Sequence, residues 1–462
     1  MLAYLPLLEA VWMFLVVWVT AYGLAYHGFS AWPTPAAVAA QAMALSVSAV
    51  IALYYNGLYD VRVAGAAAQV WRRFLRAVLG TAVVLSAIYA CFPAGARDLP
   101  LSGAFVLVAF VPLRTAARRI IRSRPFVERV LVVGGGGLAE LVVGELRARP
   151  SLPYTIVGVV DDASGSTLLA PYPSLGPFEH LAKVVKEIEP DRLVIARRGV
   201  PVADLLRWRA AGMAIEHGAD FYERLTGRLA LEWLSPSALI FDRGMRASPL
   251  GNAVRRAVSL VVAGIGIVVF APALALIALA VKLDSPGPVF FVQRRHGARA
   301  RVFSLIKFRT MRPAASDGSE WVRDNEQRIT RLGKWLRRFR LDELPQFVNI
   351  LRGDMNLIGP RPHPASNVPL FEEKIPFYAL RSAVRPGVTG WAQVKYGYAN
   401  NLEEEIEKMR YDLYYIKHAS VWLDLRIVID TIKIVLLGRG AMAADADHVP
   451  GRERQLDSLE AA

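Results

Sequence analysis

Asp342 and Glu343 stand side by side in a region where most other charges are positive. Seven bases lie within residues 323–340: Arg323, Arg328, Arg331, Lys334, Arg337, Arg338 and Arg340, against Asp324 and Glu326. Lys307 and Arg309 precede this field, and Arg352, Arg361 and Arg385 follow it. Such a density of cations implies an anionic partner. Arginine meets phosphate oxygens with a fork of N–H donors, and lysine meets them as a compact point charge. Lipid headgroups attract the same residues, so the basic field alone does not separate a membrane surface from a phosphorylated substrate. The acidic pair adds a second chemistry. A carboxylate close to arginines and at a helix N-terminus stays ionised. That suits a nucleophile, and it equally suits a plain helix cap.

The elements expected around the pair follow from the local pattern. Asp342 reads as an N-cap and Glu343 as a first-turn residue. Pro345 is tolerated there because its missing donor costs no helix bond. His296 and His363 lack the spacing of metal ligands and read as local hydrogen-bonding residues. The helices around Val421–Ile429 and Ile432–Leu437 carry apolar faces that suit either a membrane surface or ordinary core packing.

Upstream, the chain is strongly apolar from Val254 to Val281, with Arg255 and Arg256 before it and Lys282 after it. Positive charge at both ends conflicts with a simple crossing. Pro272, near the middle, lacks an amide donor and should kink the helix. A re-entrant helix over about 254–282, with both ends in the cytoplasm, resolves the conflict. An ordinary kinked span is the competing reading.

Residues 126–240 read as a small α/β domain. Arg129–Val133 gives a buried-strand signal that runs into Gly134-Gly135-Gly136-Gly137, then a helical pattern, then a strand at 154–160 ending on Asp161-Asp162. Strand, glycine turn, helix, strand and acid is the dinucleotide-binding order. Gly134, Gly136 and Asp161 are the weak cofactor-binding candidates. The same glycines serve a tight turn and close helix–sheet packing without any cofactor.

Four apolar stretches fill residues 1–125: about 5–25, 36–59, 74–92 and 101–111. The first three are long enough for membrane helices, for which about 20 apolar residues are needed, and the fourth is marginal. A buried soluble bundle is the alternative, although soluble helices seldom lack a polar face over that length. Arg62, Arg72, Arg73 and Arg76 lie in one connection, and Arg114, Arg118, Arg119, Arg122 and Arg124 follow the last stretch. The other connections carry at most Arg97. The positive-inside rule then puts both termini of the bundle in the cytoplasm.

The whole composition agrees. The chain has 462 residues, 54% of them hydrophobic, and a formal net charge of +15. Disorder, a collagen-like repeat and a disulfide scaffold are excluded. The single cysteine, Cys91, rules out an internal disulfide and a cysteine-rich metal site.

A string of motifs sharpens the reading. It comprises Lys307-Phe308-Arg309-Thr310-Met311, Arg340-Leu341-Asp342-Glu343-Leu344-Pro345-Gln346, Leu351-Arg352-Gly353-Asp354-Met355 and Gly359-Pro360-Arg361-Pro362. It continues with Arg385-Pro386-Gly387-Val388-Thr389-Gly390-Trp391-Ala392-Gln393-Val394 and Tyr411-Asp412-Leu413-Tyr414-Tyr415. In this order the string resembles the bacterial sugar transferases, the monotopic polyprenyl-phosphate sugar-1-phosphate transferases. The whole chain resembles their large subtype. That resemblance implies a mixed fold: an N-terminal four-helix transmembrane bundle (1–125), a central degenerate Rossmann-like α/β domain (126–240) and a mainly α-helical catalytic domain (241–462) with the re-entrant helix.

It further implies transfer of a hexose 1-phosphate from a UDP-sugar to undecaprenyl phosphate at the cytoplasmic face of the bacterial inner membrane. UMP would leave, and assembly of exopolysaccharide, capsule or O-antigen would begin. By resemblance Asp342 is the nucleophile, forming a phosphosugar–aspartyl intermediate, and Glu343 is a magnesium ligand. Lys307, Arg309, Arg352 and Arg385 are implied phosphate contacts, Pro360-Arg361-Pro362 resembles the segment beside the uridine, and Asp412 is an implied active-site acid. Asp412 also reads as a helix-surface acid beside Arg410. Membrane lipids and a homodimer are the implied partners.

Other functions remain in view. The same chemistry with an N-acetylhexosamine phosphate is one. A regulatory or scaffolding membrane protein of polysaccharide assembly is another. A nucleotide-sugar epimerase needs a Tyr four residues before a Lys, and residues 126–240 contain none. Nucleic-acid binding is not expected, because the bases lie beside membrane segments and an acidic pair.

Overall fold

The computed structural model describes residues 127–150, 152–162, 172–234, 249–312, 327–397 and 399–436, with isolated helical positions between 11 and 81. Those isolated positions apart, the four expected N-terminal membrane stretches and the arginines that orient them lie outside the described residues. Two compact units, residues 1–216 and 217–462, are taken in turn.

The first unit contains β1 (Glu128–Val133), α1 (Gly137–Ala148), β2 (Tyr154–Val160), α2 (Leu181–Ile188), β3 (Arg192–Ile195), α3 (Val202–Ala210) and β4 (Ala214–His217). Strand order is β2-β1-β3-β4, and β1 runs parallel to both β2 and β3. Val130–Val133 are all fully buried, as expected of a central parallel strand covered on both faces. In α2, Leu181, Val184, Val185 and Ile188 follow the helical repeat and pack on Leu131, Val133, Val160 and Leu193.

The second unit holds α4 (Gly218–Thr226), α5 (Pro249–Asp284), β5 (Phe290–His296), β6 (Val302–Phe308), α6 (Arg331–Arg338), α7 (Gln346–Arg352), β7 (Asn356–Ile358), α8 (Val368–Lys374), β8 (Gly387–Thr389), α9 (Trp391–Lys395), α10 (Leu402–His418) and α11 (Val421–Leu436). The strands form two small pairs, antiparallel β5–β6 and parallel β7–β8. Residues 217–234, which the sequence pattern groups with the α/β domain, pack with this unit. Leu229 and Leu231 join the core with Trp391, Met409 and Leu413. Trp391 Nε1 donates to Gly227 O at 2.7 Å, and Lys417 pairs with Glu223 at 2.9 Å.

Among the described residues α5 alone is long and apolar enough to cross a membrane. Its 36 residues amount to about 54 Å, well beyond a hydrocarbon core of about 30 Å. The helix carries Pro272 inside it. Both of its halves pack on the same unit: Ala263 against Leu305, Ile350 and Met355, and Val281 against Phe308 and Leu336. Between them Val268 is 75% exposed and Val269 63%. At the N-terminal end Arg255 pairs with Asp424 of α11, and Arg256 donates to the Ile350 and Met355 carbonyls.

Candidate active site

The acidic pair is not held as the sequence pattern predicts. Asp342 is no N-cap. It lies with Glu343 in a single 3-10 turn, Leu341–Glu343, between α6 and α7, and Pro345 occupies the position before α7. The turn has a definite cause on each side. Thr330 caps α6 by accepting from Gly333 N at 2.9 Å. After α6, Arg340 adopts a left-handed conformation (φ 53°), which a non-glycine residue takes only when its surroundings enforce it. Leu341 then packs beside Leu336 and Phe308. On the far side Asn349 ties α7 to β6: its Oδ1 accepts from Ile306 N at 3.0 Å, and its Nδ2 donates to Ser304 O at 2.8 Å. Lys307 is the next residue of β6, so the acidic pair and that lysine belong to one braced assembly.

Both carboxylates are buried, Asp342 at 7% exposure and Glu343 at 3%. Burial and the Glu343 charge push Asp342 up from the ordinary carboxylate range, against Lys307, Arg337 and Arg361. Burial also pushes Glu343 upward, but Arg361 and Arg340 outweigh it and hold that carboxyl down. Arg361 donates to Glu343 Oε1 at 2.7 Å, and Arg340 approaches Oε2 at 3.6 Å. Glu343 Oε2 is buried without a hydrogen-bond donor. Lys307 is pushed down to about 7 by burial and by the Arg295 charge, with Asp342 opposing.

Arg361 is set by its backbone. Three successive carbonyls are each met by a donor: Pro360 O by Gly387 N (2.9 Å), Arg361 O by Arg381 (2.8 Å) and Pro362 O by Arg295 (2.8 Å). The approach to the β7–β8 pair is possible only without side chains. A Cβ on Gly387 would lie 2.1 Å from Gly359 N, and one on Gly390 would lie 2.2 Å from Gly359 O. A cleft lined by Pro360, Arg361, Pro362, His296, Tyr378 and Val384 opens beside this segment.

The remaining expected residues divide. Arg309 is buried, and its guanidinium is committed to the end of α5, donating to Ser285 O (2.6 Å), Pro286 O (2.8 Å) and Ser285 Oγ (3.0 Å). Arg352 is exposed on the last turn of α7. Arg385 is exposed and near enough to Arg256 for their charges to repel. Asp412 is no surface acid beside Arg410. It is 1% exposed and pairs with Arg381 at 2.7 Å, while Arg410 pairs with Glu232 and Glu407. His363 is likewise buried, its Nε2 2.6 Å from Glu405 and its Nδ1 2.7 Å from the Tyr378 hydroxyl.

Arg295, Arg337, Arg340, Arg381 and Gln393 surround the pair or brace its partners, and no motif assigns them an individual role. Spacing could have flagged Arg337 and Arg340, which lie five and two residues before Asp342. Nothing in the sequence singles out Arg295 or Arg381 for the 360–362 segment. In the first unit, Gly134 has φ +116° and lies against Ala196, and Asp161 covers Gly135.

Known proteins share this sequence in part. The family described as Bacterial sugar transferase matches residues 250–438. An Aeromonas hydrophila protein named UDP-N-acetylgalactosamine-undecaprenyl-phosphate N-acetylgalactosaminephosphotransferase is 40% identical over 270 residues, 58% of this chain and 62% of its own. A Komagataeibacter xylinus undecaprenyl-phosphate glucose phosphotransferase is 33% identical over 343 residues, 69% of this chain and 61% of its own. An Escherichia coli UDP-glucose:undecaprenyl-phosphate glucose-1-phosphate transferase is 32% identical over 322 residues, 68% of each chain. The chain thus spans about three fifths of the first two relatives and two thirds of the third. On the family match and the relative at 32% identity over 68% of both chains, this chain belongs to the bacterial sugar transferase family.

Proposed function

We propose that this protein transfers a hexose 1-phosphate from a UDP-sugar to undecaprenyl phosphate at the cytoplasmic face of the membrane. The observation that carries the reading is a buried acidic pair in which one carboxylate is held ionised by Arg361 and Arg340 and its neighbour Asp342 is left more basic. An Asp342 oxygen attacks the phosphorus that bears the sugar. The bond from that phosphorus to the bridging oxygen breaks, and UMP leaves with the electron pair. The phosphosugar–aspartyl ester is then attacked at phosphorus by an oxygen of undecaprenyl phosphate. Undecaprenyl-diphosphate-sugar forms and the carboxylate returns. Two half-reactions mean that the soluble and the lipid-borne anion need not be bound together.

A magnesium ion fits the residues present. Glu343 Oε2 is a buried acceptor without a donor. The described residues offer no cluster of three His, Cys, Asp or Glu side chains. One carboxylate completed by substrate phosphates and water is the usual magnesium arrangement. Bound there, the ion would offset charge on the diphosphate. Arg337 and Arg361 supply fixed positive charge around Asp342, and Lys307 adds its own when protonated. Arg352 and Arg385, both exposed, are free to meet lipid phosphate.

The packing of both halves of α5 on one unit supports a re-entrant anchor, with the exposed middle around Val268 in the lipid. Exposed Trp422, Leu425 and Leu436 on α11 suit the membrane surface. The proposal includes a multi-pass N-terminal bundle and a homodimer, as the resemblance implies. The Aeromonas hydrophila relative favours a second reading in which the same chemistry carries an N-acetylhexosamine phosphate.

The test is UMP release from a panel of UDP-sugars with undecaprenyl phosphate, in membranes holding the full chain. Turnover is expected with one sugar and none with Asp342→Asn. Retained turnover in that variant would refute the nucleophile.

A further inference from the structure

Gln393 lies on α9, just after the glycine loop that meets Gly359. Its side chain is buried, with 4% of the residue exposed. Its Oε1 accepts from Arg340 at 3.0 Å and from Arg361 at 3.2 Å. A guanidinium has donors only, so these contacts fix the amide: oxygen toward the arginines, nitrogen away from them. The nitrogen, Nε2, is buried and has no acceptor.

The same two arginines hold Glu343. One pair of guanidiniums therefore anchors two side chains, and each leaves one buried polar atom unmet: a donor on Gln393 and an acceptor on Glu343. Buried polar atoms are seldom left so without a reason. A residue serving only to brace two arginines needs its oxygen alone. The ligand that would satisfy both atoms brings an oxygen acceptor to the amide and a cation to the carboxylate. A metal-bound diphosphate carries both.

We propose that Gln393 is a substrate-contacting residue whose Nε2–H donates to a phosphoryl oxygen of the nucleoside diphosphate. This rests on the function proposed above. The donor gains strength as negative charge gathers on the phosphoryl oxygens during attack. Arg340 and Arg361 hold the amide oxygen, so the direction of its N–H is set in advance.

The test uses the full chain in detergent. Gln393→Glu keeps an oxygen toward both arginines and removes the donor. Expected are a fall of about 100-fold in kcat/KM, a rise of about tenfold in the Kd for UDP with magnesium, and an unchanged melting temperature. A kcat/KM within about threefold of the parent, or an unchanged UDP affinity, overturns the contact. Should Gln393→Glu fail to fold, Gln393→Met, similar in size and unable to donate, is read by the same two measurements and overturned by the same two outcomes. Turnover by Asp342→Asn would defeat the proposed function itself. A dead Asp342→Asn beside a fully active Gln393→Glu would defeat only this contact.

Discussion

Two turns in this protein each bring a pair of adjacent carboxylates into play, and they use them differently. The first follows β1, where Gly134–Gly137 opens α1 and Asp161-Asp162 closes β2. Strand order turns back on itself at β1, which is where open α/β sheets bind ligands. Yet the chain's own side chains take up that space. A Cβ on Gly135 would lie 1.8 Å from Asp161 Oδ2. Asp162 accepts from Phe178 N and pairs with Arg197, both at 2.7 Å, and those contacts hold its carboxyl below the usual range. Arg197 also lies over the Phe178 ring. The second turn carries Asp342-Glu343, and there the contacts are incomplete: Glu343 keeps one oxygen unmet and Gln393 keeps its amide nitrogen unmet. A satisfied group serves the fold, whereas an unmet donor and an unmet acceptor held by the same two arginines leave a place for a ligand. The contrast favours a structural role for the glycine turn and a chemical one for the 3-10 turn.

The contrast can be broken in order of effect. The largest is in turnover. Asp342→Asn should lower kcat by at least about 10³-fold, whereas Asp161→Asn should leave it within about threefold. A cofactor role for the glycine turn would reverse the second outcome. Next is the buried Arg381–Asp412 pair. Arg381→Met strands Asp412 and frees the Arg361 carbonyl, which should cost about 3–5 kcal/mol in a denaturant melt. A loss confined to activity would mean the pair contributes little to the fold. Third, Arg361→Ala should lower kcat/KM by about 100-fold, with a smaller loss in the melt than Arg381→Met because Arg340 still faces Glu343.

The smallest effect is on pH. Burial and the Arg381 charge push His363 down to about 3 from 6.5, against Glu405. The ring faces Arg381, Glu405, Lys408 and Tyr378. It is neutral in the fold and protonates near 6.5 when unfolded, so the unfolded state binds the extra proton as pH falls. Stability from this group is complete above 6.5 and declines below it, by about 1 kcal/mol per pH unit. Glu405, held well below 4.5 in the fold, adds its own loss only near and below 4.5. Between pH 6.5 and 4.5 the decline belongs to His363, and His363→Gln should flatten it in thermal melts. An unchanged slope would place the titration elsewhere.

Much of this was legible in the sequence. The valine-rich run at β1 and the helical repeat of α2 are local patterns, so the parallel sheet could be read from them. The apolar length of α5 is likewise a local property. The acidic pair stood out because adjacent carboxylates in a basic field are visible without a fold. Its local geometry was less legible. An N-cap and a 3-10 turn draw on the same residue types, and the left-handed Arg340 that decides between them is imposed by packing. The packing of residues 217–234 was not legible, because Gly227 and Leu229 meet Trp391 and Arg410 more than 160 residues later.

Residue types alone settle the chemistry on offer: two carboxylates, many cations and a long apolar helix. Which cation serves which task follows from how the chain closes. Arg309 stands two residues from Lys307 yet is committed to the end of α5, while Arg361 comes from eighteen residues beyond Glu343 to pair with it. Asp412 sits next to Tyr411 on a helix and finds Arg381 across the core. Charge is a property of the residue, but pairing depends on distance and burial, and both are fixed only when the chain has closed on itself.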